Sequence, residues 1–219
     1  MPELLTKILL AYLLGAVLAS IVLGRLMGVD VRSTGSGNPG ATNALRARGW
    51  GFALAVLALD LAKGVLAVLV IAALPWPWAG AAAPVELAVW LPAACGVAAV
   101  VGHVWPLWHG FNGGKGAATL LGCVAGVIPA ALIPMLVVWV GGAIATGYVG
   151  LFTVLAAVSV AVWAVLVEVN GGLAPQAVFA ILMALLMIYT HRQNLVNTWQ
   201  GTEHRFESFM IWRRLRRRQ

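Results

Sequence analysis

Between Arg32 and Arg46 the chain reads Arg-Ser-Thr-Gly-Ser-Gly-Asn-Pro-Gly-Ala-Thr-Asn-Ala-Leu-Arg, a crowding of glycine, hydroxyl, amide and guanidinium that suits one chemistry. Gly35, Gly37 and Gly40 open backbone angles that let successive N–H groups converge on a point. Ser36, Asn38, Thr42 and Asn43 add neutral hydrogen-bonding groups, and Arg46 adds a cation. Such a nest attracts an anion. A second island, 102–119, repeats the composition with Gly113, Gly114 and Gly116 around Lys115, and with His103, Asn112 and Thr119 close by. A third, 191–203, carries His191, Arg192, Asn194 and Glu203. Backbone N–H groups, Lys and Arg hold phosphate by charge-assisted hydrogen bonds of about 1.5–3 kcal/mol each. The expected ligand is therefore a phosphorylated molecule.

Familiar motifs for such chemistry fail. Gly113-Gly-Lys-Gly116 looks like part of a P-loop, but His109 stands where the leading glycine belongs and Gly116 replaces the hydroxyl that would hold magnesium. No Gly-x-Ser-x-Gly elbow occurs, and histidines and carboxylates do not cluster as metal ligands, so neither metal nor cofactor is expected. Ser36 has no base at fixed spacing; it reads as a hydroxyl donating to phosphate rather than as a nucleophile.

The elements that must position these islands are membrane helices. With 62% apolar and 10% charged residues and a mean hydropathy of +0.94, the chain lacks the polar surface of a soluble fold. Its long apolar runs lack the alternation of an outer-membrane barrel, and no small-residue cleavage site follows the first run, which is expected to be retained. The net charge of +7 does not indicate nucleic acid, because the cations flank apolar segments and mark cytoplasmic ends. The tail from Arg213 to Arg218 serves topology or touches anionic membrane lipids.

Spans are expected at Leu4 to Gly24, Trp50 to Leu74, Val85 to Val101, Val149 to Val167 and Leu173 to Tyr189, with a turn at Glu168 to Gly172. Parity requires Ala117 to Thr146 to add two short crossings or none. Two give an all-α bundle of seven transmembrane helices; the alternative is five plus a re-entrant segment. One domain over 1–219 is expected, with the N-terminus outside, the C-terminus cytoplasmic and all three islands on the cytoplasmic face. Helix packing would then bring them together, with the N-terminus of the second helix, from Ala41, adding its dipole. Cys95 and Cys123 read as small core hydrophobes. Asp60 and Lys63, three apart in mid-helix, either pair with each other or send Lys63 to the substrate pocket.

Three strings now carry a resemblance: Arg-Ser-x-Gly-Ser-Gly-Asn-x-Gly-Ala-Thr-Asn-x-x-Arg at 32–46, Gly-His-x-x-Pro-x-x-x-x-Phe-x-Gly-Gly-Lys-Gly-x-Ala-Thr at 102–119, and His-Arg-x-Asn at 191–194. Together with Asp60-Leu-Ala-Lys-Gly64, they resemble the bacterial acyl-phosphate:glycerol-3-phosphate acyltransferase family. The resemblance implies a seven-helix enzyme of the bacterial inner membrane that acylates the 1-hydroxyl of glycerol 3-phosphate from an acyl phosphate. Lysophosphatidic acid and phosphate would leave, with neither CoA nor acyl carrier protein used directly. It implies phosphate-binding roles for Arg46 and Lys115, and places His191 and Asn194 in the catalytic site. These two lie one turn apart on a shared face if the last span continues through them. His191 as general base competes with a substrate phosphate oxygen. His103 is either a site residue or a hydrogen-bonder to the first island. The family's third motif has a cation where this chain has Asn197, so a phosphate role there would fall to Arg192 or Arg205; Gly201-x-Glu203 matches.

An acyl phosphate is already activated, so alignment of hydroxyl and carbonyl suffices and no acyl-enzyme is needed. A transporter or channel for a phosphorylated anion would use similar residues, but paired broken helices in two related halves are not evident in the sequence.

Overall fold

The computed structural model describes residues 2–77, 84–168 and 174–210, which form two compact units, Met1–Pro129 and Ala130–Gln219. The tip of the expected external loop, most of the expected turn after Glu168 and the basic tail lie outside the described residues. All regular structure among the described residues is helical.

In the first unit, α1 (Pro2–Gly15) and α2 (Ala19–Met27) share one apolar run but are bent by 40°. The expected unbroken span is therefore corrected. Helix α3 (Ala41–Arg48) is a separate short helix, because Gly49 at φ 82° stops it before α4 (Trp50–Val65) begins. The first island's helix is thus distinct from the second span, contrary to expectation. Helix α4 runs on through a π-helical stretch, Leu66–Ile71. After the short α5 (Val85–Ala88) come α6 (Leu91–Val104), opened by Pro92 in its first turn, and α7 (Ala117–Val127).

Helix α6 packs on α1, and α7 packs on α4. Backbones meet closely there: a Cβ on Gly102 would strike the Tyr12 carbonyl, so only glycine permits the α1–α6 approach. Ala19, Val31, Ala44, Phe52, Ala53 and Val56 form a buried cluster under the first island.

In the second unit, α8 (Leu132–Thr146) and α10 (Pro175–Thr190) both pack on α9 (Val149–Glu168). Helix α11 (Arg192–Trp199) departs from α10 by 58° and packs on α9. The segment after it folds back, the Phe206 N–H donating to the Gly147 carbonyl at 2.9 Å.

Four described helices are long and apolar enough to cross a membrane, or six if each bent pair is one span. Their outer faces carry large apolar side chains, such as Ile133 at 71% and Leu166 at 69% exposure, which lipid rather than water suits. Buried charges are paired: Lys7 donates to Glu3 at 2.6 Å and to the Ala72 carbonyl at 2.9 Å, and Lys63 meets Asp60 at 2.9 Å. Cys95 and Cys123 are buried free thiols.

Candidate active site

One side chain clamps the first half of the first island. Asn43, 1% exposed at the start of α3, donates from Nδ2 to the carbonyls of Val31 at 2.8 Å and Thr34 at 2.9 Å. Its Oδ1 accepts from the Ser36 N–H at 3.1 Å. Both amide hydrogens are therefore spent on the loop, and Asn43 shapes the nest rather than donating to an anion as the sequence suggested. Gly35, at φ 54°, sits over this clamp; a Cβ there would strike Asn43 Oδ1 and come within 3.2 Å of Arg46 Cδ. Ser20 of α2 ties the far side, its hydroxyl donating to the Pro39 carbonyl at 2.8 Å.

Ser36 and Thr42 are exposed, and Asn38 lies beside Gly40, which caps α3. Arg32 is turned to Asp30, at 3.2 Å, and its hydrogen bonds hold that carboxyl below the usual range. Arg46 is thus the cation set against the glycines of this loop.

The second island folds back on the end of its own helix. The N–H groups of Gly113 and Gly114 donate to the carbonyls of Val104 at 3.1 Å and His103 at 3.0 Å. This return passes over the His103 ring so closely that a Cβ on Gly114 would land on Nε2. Gly116, at φ 86°, then opens α7, with Lys115 immediately before it. His103 does not bond the first island: its ring meets Lys63 at 2.7 Å, with Asp60 at 3.6 Å. The mutual pairing of Asp60 and Lys63 is observed. His109 lies within electrostatic reach of Arg25 and Arg32, so the first two islands share one end of this unit.

The third island belongs to the second unit. His191 sits in the break between α10 and α11, so it and Asn194 do not share a continuous helix face as expected. The break instead orients the ring. His191 Nδ1 lies 3.0 Å from the Met187 carbonyl and 3.1 Å from the Thr190 hydroxyl; the carbonyl can only accept, so a proton on Nδ1 suits this contact and leaves Nε2 as the basic nitrogen. Asn194 donates to Glu203 Oε1 at 2.7 Å and packs on Gly150 of α9, where a Cβ would stand 2.8 Å from its Cγ.

Asn197 closes α11: its carbonyl accepts from Thr202 at 2.8 Å and Glu203 at 3.1 Å, and its side chain accepts from Gln193 at 2.8 Å. Arg192 lies over Tyr189 at 4.4 Å, and Arg205 over Tyr148 at 4.6 Å. Sequence reasoning passed over Ser20 and Gly150; a hydroxyl and a glycine inside apolar runs were the available signals.

Residues 5–201 match the family described as Glycerol-3-phosphate acyltransferase. The chain belongs to this family. A family member from Halalkalibacterium halodurans, named glycerol-3-phosphate acyltransferase, is 40% identical over 89% of this chain and 91% of its own length. One from Laribacter hongkongensis is 41% identical over 92% of this chain and 95% of its own. A crystal structure of PlsY (YgiH), an integral membrane glycerol 3-phosphate acyltransferase in its glycerol 3-phosphate form, superposes with a TM-score of 0.81. It shares 34% identity, covering 95% of this chain and 98% of that one. A second PlsY structure, the lysophosphatidic acid form, gives 0.77 at 35% identity over 93% and 95% of the two chains. The family is one of membrane acyltransferases of phospholipid synthesis, which sets the transporter reading aside.

Proposed function

We propose that this chain transfers a fatty acyl group from an acyl phosphate to the 1-hydroxyl of glycerol 3-phosphate, by direct attack. The hydroxyl oxygen adds to the acyl carbonyl, the carbon–oxygen bond to phosphate breaks, and lysophosphatidic acid and inorganic phosphate leave. The observation that carries the direct route is the lack of an activated nucleophile among the described residues. Ser36 Oγ has no base partnered to it, and both cysteines are buried. An already activated donor removes the need for one.

In this reading Gly35, Asn38, Thr42 and Arg46 on one side, and Lys115 and Gly116 on the other, hold the two substrate phosphates, with Arg192 in support, while Gly37, Gly40, Gly113 and Gly114, whose N–H groups donate within the protein, shape the two loops. Ser36 donates to a phosphate oxygen. His191 Nε2 takes the hydroxyl proton, and Asn194, held by Glu203, orients the hydroxyl. Alignment of the reactants supplies roughly 7–11 kcal/mol of the barrier reduction.

The enzyme sits in the bacterial inner membrane as one domain of seven crossings. These are α1 with α2, α4 with its π stretch, α6, the short α7, α8, α9 and α10. The N-terminus is outside and the three motif loops face the cytoplasm. Glycerol 3-phosphate enters from water and the acyl chain laterally from lipid; CoA and acyl carrier protein are not direct donors. Purified protein should release phosphate from palmitoyl phosphate only when glycerol 3-phosphate is present. Release without acceptor, or none with it, would overturn the reading.

A further inference from the structure

Lys63 has three ammonium hydrogens and three directed acceptors. It donates to the carbonyls of Gly15 at 2.9 Å and Val17 at 3.0 Å, and stands 2.7 Å from Nδ1 of His103. Asp60 Oδ1, 2.9 Å away, makes no directed hydrogen bond and acts as counter-charge. The two carbonyls lie where the first span breaks between α1 and α2 and accept from no backbone N–H. In lipid such groups need an internal donor. Lys63 therefore couples that break, which carries Ser20 and through it the first island, to the ring beneath the second.

An ammonium only donates, so its contact with His103 requires the Nδ1 lone pair. The ring hydrogen is then on Nε2, the nitrogen packed against Gly114. The ring is 2% exposed, yet no described residue accepts from Nε2. A donor on a ring this enclosed, without a protein acceptor and at the wall of a glycine loop, points to a ligand oxygen.

We propose that Lys63 is a positioning residue for the acyl transfer, fixing His103 with its N–H at Nε2, directed at a phosphate oxygen held by the Gly113–Gly116 loop. This rests on the function proposed above. His103→Gln keeps an N–H where Nε2 stood; His103→Asn keeps an acceptor near Nδ1 but nothing at Nε2. Steady-state kinetics of the purified full chain should show a smaller loss for Gln than for Asn. Asn should raise the KM for one phosphorylated substrate about 10- to 100-fold, the loss of one hydrogen bond to a charged group, with a smaller change in kcat. Lys63→Met should raise the same KM, and Lys63→Arg should not rescue it, since a planar fork cannot serve three diverging acceptors.

Asn performing as well as Gln would overturn the proposal, leaving His103 as a mere anchor for Lys63. Independently, nitrogen NMR of histidine-labelled wild type, assigned with His103→Gln, should show His103 protonated at Nε2 and bare at Nδ1; the opposite tautomer overturns it. An inactive wild type would remove the proposed function and the positioning role with it.

Discussion

The motifs of the first unit and the motif of the second invert one another. In and around the first two islands side chains are spent on holding backbone: Asn43 clamps residues 31–36, Ser20 of α2 holds Pro39, and Lys63 of α4 holds the broken first span. What remains for a ligand is the exposed hydroxyls of Ser36 and Thr42, the main-chain N–H groups not bonded within the loops, and the cations beside them. In the third island the surroundings hold side chains, the Met187 carbonyl fixing the His191 ring and Glu203 fixing Asn194. On the function proposed above, the contrast divides labour: the first unit would bind anions, and the second would present groups that move or direct a proton. Variants in the first should act on KM, and variants in the second on kcat.

The largest expected break is His191→Gln, which removes the basic Nε2. It should lower kcat by about 10²–10⁴-fold with little change in KM, as loss of general base catalysis does. An unchanged kcat would return the proton to a substrate phosphate. Next is Gly114→Ala, whose methyl would meet a His103 ring held by Lys63 and so displace the loop. A misplacement of that kind costs about 10²-fold in kcat/KM, and the comparison expects it chiefly in KM. If kcat alone fell, the division of labour would fail.

Asn43→Asp replaces two donors facing carbonyls with acceptors. It should cost about 1–3 kcal/mol of stability, the penalty of buried groups left unpaired, read as a lowered thermal midpoint in detergent. Glu203→Gln is expected to do least, because an amide oxygen still accepts from Asn194. A change in kcat of more than a few-fold would make the charge, rather than the hydrogen bond, its contribution.

The helical class and the motif-bearing loops were legible in the sequence because hydropathy and glycine crowding are local signals. The two free buried cysteines and the Asp60–Lys63 pair follow from the same logic: an apolar run leaves thiols no ligand and unpaired charge no home. What it could not give were the breaks. Nothing at Ala16 to Leu18 marks a helix end, and the donor that covers two carbonyls there, Lys63, is 46 and 48 residues away from its acceptors. Asn43 looked like a ligand because an amide in a glycine-rich stretch reads alike whether it faces an anion or its own loop. His191 and Asn194 share a face only if the last span continues through them, and no proline or glycine at residue 191 marks the break that occurs there.

The dependence of the first span on Lys63 also sets an order of assembly. Residues 2–27 are synthesised before Lys63, and until α4 arrives no ammonium is there to cover the Gly15 and Val17 carbonyls. Bare carbonyls in hydrocarbon cost several kcal/mol each, so the nascent first span should enter the bilayer as one straight helix and bend only when its partner packs. A chain truncated ahead of Lys63 is expected to show, by amide hydrogen exchange, protection continuous through residues 16–18. Protection already interrupted there would mean that the bend precedes its cap.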